Sequence, residues 1–181
     1  KKHIISSSIE HPAVFETLNH LAARGYEVTY LPVNKDGVVE MDVYKAAFRE
    51  DTALVTIMYV NNEVGSIQPI KEMASFAKSK GVLIHTDAVQ AVGKVPVNVQ
   101  DLGVDMLSFT GHKIYGPKGS AVLYVNESLM PKIEPIIFGG AHEYGKRAGT
   151  VATHQVAGLA KACELIHNNL EADMKHLATL R

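Results

Sequence analysis

Residues 52–60, from Thr52 to Val60, form an almost unbroken β-branched and apolar run. A strand with one face in water alternates polar and apolar side chains, so a run this uniform needs cover on both faces. Related runs occur from Val82 to Thr86, Asp105 to Phe109 and Ala121 to Val125, and strand-like stretches at Lys2 to Ser7 and Tyr26 to Val33. Between them lies helical spacing. Ala13, Val14, Leu18 and Leu21 make one stripe, opened by Pro12 and closed by Gly25. Asp42 is expected to cap a short helix through Phe48, and Ile70, Met73, Ala74 and Ala77 mark a third helix that stops at Gly81. A long helix is predicted from about Ala152 to the end at Arg181. Strands alternating with helices predict an α/β fold, a three-layer α/β/α arrangement around a mainly parallel sheet.

The 181 residues suffice for one sizeable core, and a single domain over 1–181 is expected. A net charge of -1 argues against nucleic acid or an anionic membrane as the main partner. No apolar run reaches membrane-spanning length. The one cysteine excludes a disulfide framework and fits a reducing, cytoplasmic setting. The chain starts in a strand pattern and ends in a helical one, so it reads as part of a larger protein.

In open parallel sheets, ligands gather at the carboxyl ends of the strands. His11, Asn62, Asp87 and Lys113 each fall just after a predicted strand. Lys113 sits in a glycine-punctuated turn, Thr110-Gly111-His112-Lys113, between two strands. It is either a snorkelling surface charge or a desolvated amine able to condense with a carbonyl compound. Asp87 follows a buried run; it is either a helix N-cap or a carboxylate needing a cation. Gln90 falls one turn beyond it, on the same face if the segment is helical. His11 either stacks on a planar ring or lies in solvent before a helix. Thr110 and His112 offer donors for a phosphate, or bond only within their turn. An amine, a carboxylate for a ring nitrogen, a stacking imidazole and phosphate donors are together what pyridoxal 5'-phosphate requires.

Five segments carry a resemblance: Ser8 to His11, Val60 to Gly65, His85 to Gln90, Ser108 to Lys113, and Gly139 to Thr150. In order and spacing they resemble the cysteine desulfurases of iron–sulfur cluster and nitrogenase maturation, the NifS/IscS type. These are class V aminotransferase-type, fold-type I pyridoxal phosphate enzymes. The resemblance implies that Lys113 carries the cofactor as a Schiff base and Asp87 pairs the pyridinium nitrogen. It implies that Gln90 donates to the ring's phenolate oxygen, His11 stacks and acts in proton transfer, and Thr110 and His112 hold the phosphate. Asn62 would orient the carboxylate of the substrate, L-cysteine. Thr150 would reach the phosphate of the partner subunit in a homodimer. A sulfur-acceptor scaffold protein is the implied further partner, and no metal is implied.

The resemblance also marks departures. The family's glycine-containing phosphate loop would precede Lys1, and the small domain with its persulfide cysteine would follow Arg181. On that expectation this is an incomplete large domain, without desulfurase turnover alone. Cys163 lies on the apolar stripe of the last helix and is expected to be structural. Other readings are a different class V enzyme such as a selenocysteine lyase, a non-catalytic module for dimerisation or acceptor docking, and a metal hydrolase using His85, Asp87 and His112.

Overall fold

The computed structural model describes residues 1–180. Six strands make one sheet: β1 (His3–Ser7), β2 (Glu27–Leu31), β3 (Thr52–Thr56), β4 (Leu83–Asp87), β5 (Met106–Thr110) and β6 (Ala121–Val125). Their order is β2-β1-β3-β4-β5-β6. All neighbours are parallel except β6, which pairs antiparallel with β5. The helices are α1 (Pro12–Ala22), α2 (Met41–Ala46), α3 (Ile70–Ser79), α4 (Val99–Leu102), α5 (His142–Gly145) and α6 (Thr153–Leu180). Arg181, where the last helix was expected to end, lies outside the described residues.

The α/β fold with a mainly parallel sheet is as expected, and its handedness explains the layers. From β1 the chain steps one way to β2, then returns past β1 to β3 and onward. Right-handed crossovers put α1 on the face opposite α2, α3 and α4. The reversal opens a crevice between β1 and β3, at their carboxyl ends. The main core joins Ile5, Val55, Ile57 and Ile84 of the sheet region to Tyr44 of α2 and Met73 and Ala77 of α3. Tyr44, Phe48 and Phe76 pack edge to face there, and the Tyr44 hydroxyl donates to the Met73 carbonyl (2.9 Å). A second cluster seats Leu159 and Ala162 of α6 on Ile114, with Phe109, Val122, Cys163 and Ile166 around them. Cys163 is therefore a half-buried packing residue, and burial raises its thiol pKa.

Three local expectations differ. Asp42 is not the cap of α2; Glu40 holds that position without a side-chain bond, and Asp42 falls in the first turn. The run from Thr52 leaves regular pairing after Thr56, because the chain must diverge toward α3. Ile57 and Tyr59 still donate backbone N–H groups to the His85 and Asp87 carbonyls (3.3 and 2.8 Å). The segment after Asp87 is a series of turns rather than a helix, so Gln90 is not placed by helical spacing.

Candidate active site

Four strand exits converge on one cleft of about 320 Å³, within the size range of small-molecule sites. The β1 exit supplies His11 and Ala13, the β3 exit Met58, Val60 and Asn62, the β4 exit Asp87, Val89 and Gln90, and the β5 exit Thr110, His112 and Lys113. Seven of the eight residues singled out from the sequence thus line one space. The eighth, Thr150, lies on the exposed segment before α6 and does not line it. A larger but shallow groove between Tyr59 and Lys71 gathers no comparable set of ionisable groups.

Local structure fixes each wall. His11 is itself the N-cap of α1, ahead of Pro12, and its Nδ1 accepts from the Ala13 N–H (3.1 Å). A nitrogen that accepts carries no proton, so the neutral ring keeps its hydrogen on Nε2. Asp87 ends β4 and is 8% exposed. Its Oδ1 accepts from the Val89 N–H (2.9 Å). Asp87 therefore caps a turn rather than a helix through Oδ1, and the residue lines the cleft. Thr110 Oγ1 shares a hydrogen bond with His112 Nδ1 (2.9 Å) and donates to the Ser120 carbonyl (3.2 Å). The turn bonding weighed from the sequence is thus present, and it fixes the His112 ring with Nε2 unengaged among the described residues.

Lys113 closes a 3-10 turn, Gly111 to Lys113. Its amine is exposed rather than desolvated, and no hydrogen bond or ion pair among the described residues engages it. Lys94 approaches it; burial first, and then the charge of Lys113, lower the Lys94 pKa. Gly111 is the tight point of the turn. A Cβ there would stand 2.6 Å from Ser120 Oγ, 3.1 Å from the Pro117 carbonyl and 3.2 Å from Leu159. Tyr115, just beyond, sits at φ 64°, a costly conformation for an aromatic residue. Gly111→Ala is expected to cost about 1–3 kcal/mol by overpacking and to displace Lys113. Denaturant midpoints and ligand titration measure the two effects.

Below the cleft, His85 bridges three strands. Its ring nitrogens meet Thr56 Oγ1 (2.9 Å) and Ser108 Oγ (3.1 Å). Burial lowers its pKa, only partly offset by Asp87. With both nitrogens engaged, and with no cluster of three or more His, Cys, Asp or Glu able to hold a metal among the described residues, the His85–Asp87–His112 hydrolase reading loses its ligand set.

Two residues at the site were not singled out from the sequence. Asn61 is buried; its Nδ2 donates to the Ile9 carbonyl (3.1 Å), and its Oδ1 accepts from the N–H groups of Glu63 and Val64 (2.9 Å each). It ties the loop bearing Asn62 to the turn bearing His11. Glu10 is 9% exposed. Its Oε1 accepts from the Ser7 hydroxyl and from the Met58 N–H (2.9 Å), while Oε2 has no partner. The available signal was a charge between Ile9 and His11, directly after a fully buried strand.

The model of the aminotransferase class-V family matches residues 1–181. A curated mitochondrial cysteine desulfurase of Arthroderma benhamiae is 48% identical over 180 residues, 99% of this chain and 36% of that protein. The cysteine desulfurase IscS of Dictyoglomus turgidum is also 48% identical, over 99% of this chain and 45% of that protein. Among solved structures, a NifS-like protein superposes with a TM-score of 0.96 at 42% identity, covering all of this chain and 50% of the other. A structure described as SspA in complex with cysteine gives 0.88 at 42% identity, over 91% of this chain and 47% of the other. The chain spans less than half the length of these curated relatives.

Proposed function

The chain belongs to the class-V aminotransferase family, and from that premise we propose that it is the cofactor-binding core of a pyridoxal phosphate-dependent cysteine desulfurase. One observation carries the reading: Lys113, Asp87 and His11 reach a single cleft from three strand exits. That set fits the cofactor. Lys113, the lysine that lines the cleft, offers an unengaged amine for its aldehyde, Asp87 a buried carboxylate for its ring nitrogen, and His11 an imidazole for its face. Gln90 keeps an amide donor for its oxygens, His112 would donate from Nε2 as the imidazolium, since its Nδ1–H is spent on Thr110, and Met58, Val60 and Val89 give apolar walls for a flat ring.

Bound there, the cofactor supplies an electron-accepting ring that weakens bonds at an amino acid's α-carbon. The chain's own residues orient and neutralise. Asp87 holds positive charge at the ring nitrogen by ion pairing in a poorly solvated place. Asn62, tethered through Asn61, presents its amide to a substrate carboxylate. The Lys113 amine, when free, would be a base within the cleft, and His11 Nε2–H would be a proton donor beside it. Substrate L-cysteine is favoured by the curated cysteine desulfurases it resembles and by the solved relative described as binding cysteine. We assign the whole of 1–181 to one cofactor domain, and Thr150 to the phosphate of a second subunit in a homodimer. A sulfur-acceptor scaffold is the downstream partner, in a cytoplasmic setting; no helix among the described residues is long and apolar enough to cross a membrane.

The test is spectroscopic. Pyridoxal phosphate added to the protein is expected to give a visible-edge absorbance band that L-cysteine perturbs. No band at saturating cofactor would overturn the reading. Cys163 lies on α6, packed into the cluster around Ile114 with a raised thiol pKa, so Cys163→Ser is expected to leave that response unchanged. Mass spectrometry should find no persulfide on Cys163 after cysteine treatment.

A further inference from the structure

We propose that Glu10 is a positioning residue of the cleft, a buried carboxyl that ties the turn bearing His11 to the β3 exit and responds to the charge on Asp87. The inference rests on the reading that Asp87 faces a cationic ring atom. Glu10 adjoins His11 in sequence, and Met58, whose N–H it accepts, lines the same cleft. Its carboxyl therefore bridges the two strand exits that the topology drives apart. Ser7 Oγ completes the link from the end of β1. Glu10 does not itself line the cavity. Its Oε2 is buried without a hydrogen-bond partner among the described residues, an exception that calls for a reason.

Charge supplies one. Burial first, and then the Asp87 carboxylate, raise the Glu10 pKa to about 7, against the Ser7 and Met58 hydrogen bonds that lower it. The ionisable groups lining the adjoining cleft are Asp87 from β4, His11 from the turn after β1, and His112 and Lys113 from the β5 exit; of these, Asp87 is the one whose charge acts on Glu10. With a proton on Glu10, the floor of the cleft carries one negative charge, on Asp87. A cation placed against Asp87 offsets that charge, lowers the Glu10 pKa and releases its proton. By linkage, ionising Glu10 then tightens cation binding.

Two measurements test this. In the ligand-free protein, carboxyl NMR of ¹³C-glutamate-labelled chain should show one group titrating near pH 7. It should be absent in Glu10→Gln and moved downward in Asp87→Asn. The sign for stability follows from the raised pKa. Glu10 favours the fold fully below its unfolded pKa of about 4.3, and that support is lost as pH rises through about 7. The melting temperature of wild type relative to Glu10→Gln should therefore fall from pH 5 to pH 8. Glutamates that all titrate in the ordinary carboxylate range overturn the proposal.

In the second measurement, pyridoxal phosphate is titrated at pH 6 and pH 8. Between these values wild-type affinity should rise about fivefold relative to Glu10→Gln; the comparison cancels titration of the ligand and of Lys113. Glu10→Ala, which loses the Ser7 and Met58 bonds, should bind weakly at both, while Glu10→Gln recovers binding at pH 6. Binding with equal pH dependence in wild type and Glu10→Gln overturns the coupling. Binding by neither protein overturns the desulfurase reading instead, and the ligand-free titration then decides the part of Glu10 by itself.

Discussion

Replacing Lys113 by alanine is expected to abolish covalent capture of pyridoxal phosphate while leaving the fold intact. The amine is exposed in the cleft and makes no hydrogen bond or ion pair among the described residues, so its removal opens no core cavity and strands no partner. Surface substitutions of this kind shift stability by about 0.5 kcal/mol or less. The loss of the visible-edge band should be complete, because covalent attachment needs a primary amine within reach of the aldehyde. Lys94 is the competing amine, and Lys94→Ala provides the control. Borohydride reduction followed by peptide mapping should place the modification on Lys113 and nowhere else. A band of undiminished intensity in Lys113→Ala, or a label on Lys94, would remove the basis of the assignment.

Asp87→Asn carries the second large effect. Asn keeps an acceptor for the Val89 N–H, which Asp87 holds at 2.9 Å, so the turn at the β4 exit survives. What disappears is the negative charge facing the cleft from a side chain 8% exposed. Removing one partner of a buried ion pair costs about 3–5 kcal/mol. Cofactor affinity should therefore fall by at least about 100-fold, with little change in melting temperature. Asp87→Ala should lose both the affinity and part of the turn's stability. An Asp87→Asn protein that binds pyridoxal phosphate as tightly as wild type would show that the carboxylate faces something other than a cation.

The sequence by itself determined the fold class and the address of the candidate site. Uniform apolar runs such as Thr52 to Val60, alternating with helical stripes, specified a covered parallel sheet. Polar residues closing those runs specified its working edge. Both are local signals, because burial writes a period into neighbouring residues of one segment. Only the tertiary structure decided how the edge is wired. Glu10 meets Met58 across 48 residues, Asn61 meets Ile9 across 52, and His85 meets Thr56 across 29. Those contacts depend on which strands become neighbours, and no period within one segment encodes the order β2-β1-β3-β4-β5-β6. Strand order also explains why Glu10, a charge expected in water, lies buried between two strand ends.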